Sequence, residues 1–295
     1  MRYTTYNDIS NTLRRNLHRL PPLSLVVGVP RSGMIPALML SELLNIPCAS
    51  LDDFIAGREM SCGGRRMFMQ HDKKDGSVLV LDDTVYKGTS MRQVRSLLQP
   101  MHRRYNIILG CVYAEGKDAA QMVDFCFENV YDPGERLNLY EWNILHHYPV
   151  VTEASMWDID GLVCQNPPDD RDTEAYEHYL PNARAMIIPT TRVGAFVTYR
   201  LEKYRTVTEN WLRQQGIEYG QLIMFDARNA RIRNSMMSPA KYKAQIYGST
   251  AWAELFLESD AYQAKTINKL CGKPVYCYED GRMYGHAQPL PVGRS

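Results

Sequence analysis

The sequence predicts an α/β protein of two domains, each a mainly parallel sheet flanked by helices. Three observations predict it. Short β-branched apolar runs alternate with helical segments along the 295-residue chain. The alternation restarts near residue 150, and the length suffices for two separate cores. Two of the apolar runs end in closely spaced acids, VLVLDD (78–83) and MWDID (156–160).

The elements follow in order. Ile9, Leu13, Leu17 and Leu20 recur near helical spacing, and Pro21-Pro22 ends that opening helix. LSLVVGV (23–29) reads as a buried strand and MIPALMLSELLN (34–45) as the helix that covers it. Residues 54–76 have no clean period and read as a long loop or hairpin. VLVLDD is the next strand, GTSMRQVRSLLQPM (88–101) a helix and NIILGCVYA (106–114) a strand. Connections of this length imply right-handed βαβ units.

The second cycle contains strand candidates in ASMWDIDGLV, GAFVTYR (194–200), QLIMFD (221–226), AELFLESD (253–260) and PVYCYE (274–279). Glu202 to Gln215 reads as a helix stopped by Gly216, and AYQAKTINKLCG as one stopped by Gly272. The boundary falls between Tyr148 and Ala154, giving domains 1–150 and 151–295.

Composition narrows the function classes. A net charge of +1 argues against a nucleic-acid or membrane-surface partner. Seven cysteines without CxxC or Cys/His metal spacing fit reduced thiols in a cytoplasmic protein. The MRYTTYNDIS start lacks a signal-peptide core, and no apolar run is long enough to cross a bilayer.

Asp82 and Asp83 stand at a strand's carboxyl end, where open α/β sheets bind ligands. Two carboxylates there can accept hydrogen bonds from vicinal sugar hydroxyls. Tyr86 to Ser90 then turns into a helix, with free backbone N–H groups and the Thr89 and Ser90 hydroxyls as a phosphate seat. Gly88 allows close backbone approach. This stretch, LDDTVYKGTS, resembles the signature of type I phosphoribosyltransferases, which bind 5-phosphoribosyl-1-diphosphate (PRPP). Lys87 departs from it, standing where the family usually has threonine.

VVGVPRSGMIPA (26–37) is similar to that family's diphosphate loop, with Arg31, Ser32 and Gly33 at the ligand. Residues 54–76 occupy the place of its catalytic loop, where Arg58, Arg65, Arg66, Lys73 and Lys74 are candidates and Arg65 and Arg66 rank first. A solvated basic loop explains any one of these residues equally well. The resemblance covers the first half of the chain. It implies displacement at C1 of PRPP, Mg²⁺ on the leaving diphosphate, and catalysis by positioning, with Asp82 and Asp83 central.

Asp158 and Asp160 lie two apart on an extended chain and share a side, and Gly161 follows as a turn. With the motifs downstream, this resembles the haloacid dehalogenase (HAD) superfamily. The resemblance makes Asp158 the nucleophile, forming an aspartyl-phosphate, and Asp160 the acid and then the base. It places Thr198 on the phosphate, with Arg200 either beside it or in a salt bridge. It makes Lys243, preferred over Lys241, the charge-offsetting lysine, and it makes Asp158, Asp160, Glu258 and Asp260 the Mg²⁺ ligands. Fewer than forty residues separate Asp160 from Thr198, leaving room for a small cap, with Asp169, Asp170, Asp172 and Glu174 on a solvated loop.

Together the resemblances imply a bifunctional enzyme. It would transfer 5-phosphoribose to a small-molecule or glycan acceptor, then hydrolyse the 5-phosphate or a related ester. The competing reading is a PRPP-binding regulatory module fused to an independent phosphatase. Neither resemblance identifies the acceptor, and a homo-oligomer is left open. His146 and His147 read as surface residues, and Trp142 and Trp211 as packing aromatics.

Overall fold

The computed structural model describes residues 1–58, 76–135, 138–145, 149–169 and 171–285. Arg65, Arg66, Lys73, Lys74, His146, His147 and Asp170 lie outside the described residues. Two compact units divide the chain, Thr4–Asn138 and Met1–Tyr3 with Leu139–Ser295. The division by contacts thus falls twelve residues before the expected 150/151.

The strand β1 (Arg2–Thr4) belongs mostly to the second unit, and the first opens with α1 (Tyr6–Asn16). Thr5 and Asp8 cap α1 reciprocally, each side chain accepting from the other's backbone N–H. Then come β2 (Leu23–Gly28), α2 (Met34–Leu44), β3 (Cys48–Ser50), α3 (Leu51–Ile55), β4 (Ser77–Val85), α4 (Thr89–Leu97), β5 (Ile107–Ala114) and β6 (Phe125–Asn129). The sheet runs β3-β2-β4-β5-β6, with every pairing parallel. Its central strands are buried on both faces, which is why they read as unbroken apolar runs.

β4 does not stop at its acids. Its pairing with β2 ends at Gly28 opposite Leu81, but its pairing with β5 continues through Asp82, Thr84 and Val85. Asp82 and Asp83 therefore stand where β4 outruns β2 but still pairs with β5. The short strand β6 was absent from the sequence reading. Alternation within FCFEN is too brief to separate it from a loop.

The second unit begins at β7 (Asn138–Tyr140), which forms a two-stranded sheet with β1. It continues with α5 (Pro149–Glu153), β8 (Ser155–Trp157), α6 (Glu174–Asn182), β9 (Val193–Leu201), α7 (Arg205–Gln214), β10 (Tyr219–Phe225), α8 (Ala230–Met236), α9 (Pro239–Ser249), β11 (Leu255–Glu258), α10 (Ala261–Cys271), β12 (Val275–Cys277) and β13 (Met283–Tyr284). The sheet order is β10-β9-β8-β11-β12-β13, parallel except for β13. Sequence-adjacent strands build outward from β8 in both directions, so β8 lies where the order reverses and a crevice opens at its carboxyl end.

The chain is thus α/β, with two mainly parallel sheets flanked by helices. No helix among the described residues is long and apolar enough to cross a membrane. The six described cysteines form no disulfide with one another.

Candidate functional site

In the first unit, the loop between β2 and α2 and the end of β4 meet. The Ser32 hydroxyl donates to Asp83 Oδ1 at 2.9 Å, and Asp82 Oδ1 accepts the Asp83 N–H at 2.9 Å. Gly33 is packed against backbone: a Cβ there would lie 2.6 Å from the Val29 carbonyl oxygen and 2.8 Å from that of Leu81. Gly33→Ala is therefore expected to lower stability by roughly 1–3 kcal/mol and distort the loop, read by urea unfolding. An unchanged unfolding midpoint would disprove this crowding.

Both acids are buried. Burial, with the Asp83 charge second, pushes the Asp82 carboxyl up to about 8. Gly88 stands before α4, whose first turn has no side-chain cap. Lys87, Thr89 and Ser90 are exposed at that end. Arg92 fixes the turn through the Lys87 carbonyl at 3.1 Å and the Thr89 hydroxyl at 3.2 Å. Arg31 is exposed on the facing loop.

In the second unit, Asp158 directly follows β8, and its N–H still joins the ladder through the Leu257 carbonyl at 2.9 Å. Lys243 of α9 reaches between strands. Its Nζ lies 2.7 Å from Asp158 Oδ2, 2.7 Å from Glu258 Oε2 and 3.2 Å from Gln263 Oε1. Burial would drive the ammonium toward neutrality, but the two carboxylates outweigh it and hold Lys243 charged. Burial pushes the Asp158 carboxyl well above the usual range, against the pull of Lys243. Lys241, two residues away, is exposed.

Asp160 has a different partner. Arg200, 1% exposed, holds it in a fork: Nε to Oδ2 at 3.0 Å and Nη2 to Oδ1 at 2.6 Å. Burial alone would raise this carboxyl, but Arg200 outweighs it and holds Asp160 below the usual carboxylate range. The Tyr179 hydroxyl adds a 2.9 Å bond. Of the two roles expected for Arg200, the structure places its guanidinium in the salt bridge.

A cavity of about 210 Å³ opens over these groups, lined by Asp158, Asp160, Thr198, Arg200, Arg233 and Lys243. Asp158, Asp160, Thr198, Arg200 and Lys243 are thus brought together, with Asp260 at the same cavity.

The four acids expected to hold Mg²⁺ do not fit that cation as they stand. Asp158 faces Lys243, Asp160 faces Arg200, and Glu258 accepts from Lys243 and from the Ser259 N–H. Asp260 caps α10 through the Gln263 N–H at 2.7 Å. Among the described residues no three His, Cys, Asp or Glu converge on a metal position.

Sequence reasoning missed Tyr179, Gln263 and Arg233. Tyr179 lies in the segment read as a polar cap. Gln263 follows Asp260 by three residues on α10, a spacing that marks a shared helical face. Arg233 has no such signal: it and Arg231 lie two apart on α8, one buried and one exposed.

No family model and no curated protein matches the chain. Among solved structures, a purine phosphoribosyltransferase from Pyrococcus horikoshii is similar at 20% identity, over 48% of this chain and 93% of that one, with a TM-score of 0.34. The xanthine-guanine-hypoxanthine phosphoribosyltransferase of Helicobacter pylori is similar at 16% identity, over 48% and 93%, with a TM-score of 0.33. A chain of a Pnkp1/Rnl/Hen1 complex is similar at 14% identity, over 88% of this chain and 96% of its own, with a TM-score of 0.32.

Proposed function

We propose that the chain is a bifunctional enzyme, a type I phosphoribosyltransferase-like unit followed by a HAD-like phosphatase unit. The observation that carries this reading is shared by both halves: a pair of acids stands where a buried strand outruns or leaves its sheet, beside backbone N–H groups or buried cations. In the first unit these are Asp82 and Asp83 beside the uncapped start of α4. In the second they are Asp158 and Asp160 beside Lys243 and Arg200.

The first substrate is PRPP carried as its magnesium complex. Asp82 and Asp83 take the ribose hydroxyls, the α4 amides the 5-phosphate, and the loop at 29–33 the diphosphate. The acceptor then attacks C1, and the bond from C1 to the diphosphate oxygen breaks. Ser32, tied to Asp83, keeps the two halves of this pocket in register.

In the second unit an oxygen of Asp158 attacks phosphorus, and the bond from phosphorus to the ester oxygen breaks, that oxygen leaving with a proton from solvent. Water, relieved of a proton by Asp160, then frees phosphate and restores the carboxylate. The Arg200 fork holds Asp160 ionised, the form a base needs, while lowering its affinity for the proton. An acid role in the first half needs a proton that the same ion pair disfavours.

The test is mass spectrometry of a metabolite extract incubated with PRPP, Mg²⁺ and either the native chain or Asp158→Asn. The variant should accumulate a phosphoribosylated species that the native chain converts to its dephosphorylated form. Identical products from both proteins would refute the coupling, and no PRPP-dependent product would refute the transferase.

A further inference from the structure

We propose that Gln263 is a substrate contact of the second unit, its side-chain amide giving N–H donors to a non-bridging oxygen of the bound phosphoryl group. The inference rests on reading that cavity as a phosphate-ester site. It adds a neutral residue that the spacing of acids and cations along the chain did not point to.

The first observation is that Lys243 and Arg200 are already engaged within the chain. Lys243 has three N–H donors and three acceptors around them: Asp158 Oδ2 and Glu258 Oε2, each at 2.7 Å, and Gln263 Oε1 at 3.2 Å. Arg200 gives Nε and Nη2 to Asp160, and Nη1 to the Thr208 hydroxyl at 3.3 Å. A ligand oxygen gains most from donors that have no partner in the chain, because a bonded donor must break one contact to make another.

The second observation is that Gln263 carries such donors in a fixed orientation. An ammonium can only donate, so the amide atom facing Lys243 is the carbonyl oxygen, and the amide is thereby oriented. Nε2 is the other corner of the same planar group, and it has no hydrogen-bond partner among the described residues. Nor is it sealed inside the chain. Among the described residues the buried side-chain polar atom that lacks a partner is Asn138 Oδ1, and Gln263 lines the cavity. The backbone holds the residue as well, since the Gln263 N–H donates to Asp260 Oδ1 at 2.7 Å in the first turn of α10. A donor anchored at both ends is in place before the ligand arrives and needs little reorganisation. Thr198 gives the cavity a second neutral donor. It is 1% exposed, its Oγ1 accepts the Arg200 N–H at 3.2 Å, and its hydroxyl hydrogen has no acceptor among the described residues. Two such donors on one cavity beside Asp158 suit a group with several acceptor oxygens and no N–H of its own, as a phosphoryl group is.

Titration of the full chain with inorganic phosphate tests the contact through two signals. All four tryptophans, Trp142, Trp157, Trp211 and Trp252, belong to the second unit, and Trp157 directly precedes Asp158, so their fluorescence reports this unit. The side-chain N–H₂ resonances of Gln263, followed by ¹⁵N NMR, report the contact itself and should shift with the same midpoint as the fluorescence. Gln263→Met removes the donors and adds no charge, and it should raise the midpoint by about tenfold or more. A fluorescence response with the Gln263 resonances unmoved would overturn the contact and leave the phosphate-site reading standing, with Gln263 only holding Lys243. A Gln263→Met midpoint equal to the native one would overturn it as well. No response in either signal would overturn both readings. Should Gln263→Met not fold, the resonances of the native chain decide alone.

Discussion

Lys243→Met should lower the stability of the second unit by about 3–5 kcal/mol at neutral pH and abolish its hydrolysis of phosphate esters. The lysine is 2% exposed and lies between two carboxylates that are themselves buried. Methionine fills much of the volume but leaves Asp158 and Glu258 facing each other without a cation. Removing one partner of a buried ion pair leaves an uncompensated charge, which costs far more than the intact pair contributes. The loss should also depend on pH. Burial already holds the Asp158 carboxyl above its usual range, and losing Lys243 removes the attraction that opposes this. A carboxyl raised in the folded state stabilises below its unfolded pKa, and that contribution disappears as pH rises through the folded value. The deficit should thus be smallest in acid and grow toward neutrality. Urea unfolding followed by tryptophan fluorescence at pH 5 and pH 7.5 measures both. A deficit independent of pH would show that the buried carboxylates are not its source.

Asp82→Asn should do the opposite to stability while stopping PRPP turnover. Burial, then the neighbouring Asp83, raises the Asp82 carboxyl from 3.8 to about 8. The ligand-free first unit therefore gains from Asp82 below pH 3.8 and loses that gain as pH rises toward 8. Asparagine keeps the shape and carries no charge, so the variant escapes the loss. It should be more stable than the native chain by roughly 1–3 kcal/mol at pH 8 and by less at pH 5, read by calorimetry of the full chain. PRPP turnover should fall by about a hundredfold or more, since an amide accepts hydrogen bonds less strongly than a carboxylate. A variant less stable at pH 8 than the native chain would contradict the strain assigned to this acid pair. Together with Lys243→Met it separates the two kinds of buried acid: Asp82, raised by burial and by a neighbouring acid, and Asp158, whose burial Lys243 partly offsets.

The fold was legible because its signals are local. The apolar runs at 23–29, 78–83 and 106–114 became β2, β4 and β5, and the helical periods between them became α2 and α4. β6 was not legible, because five residues carry too little alternation. The extension of β4 past its acids was hidden for another reason: it depends on β5 continuing where β2 has ended.

In the sites, residue types at short spacing were readable and pairings across the fold were not. LDD, PRSG and DID are contiguous, so their chemistry could be named from the chain. That Ser32 meets Asp83, 51 residues away, needed the sheet. That Arg200 meets Asp160, 40 residues away, needed β8 and β9 side by side. Lys243 could be preferred over Lys241 from its neighbours, but its place between Asp158 and Glu258 is a consequence of α9 packing over β9.

The sequence by itself therefore determined the α/β class, two sheets and the acid pairs that follow their apolar runs. These follow from hydrophobic period and from which residues stand next to one another. Only the tertiary structure decided which cation neutralises which acid, that Arg233 and not Arg231 faces the cavity, and that the four expected magnesium ligands are engaged within the chain. Electrostatic pairing depends on distances through space, which strand order and helix packing set and local sequence does not encode.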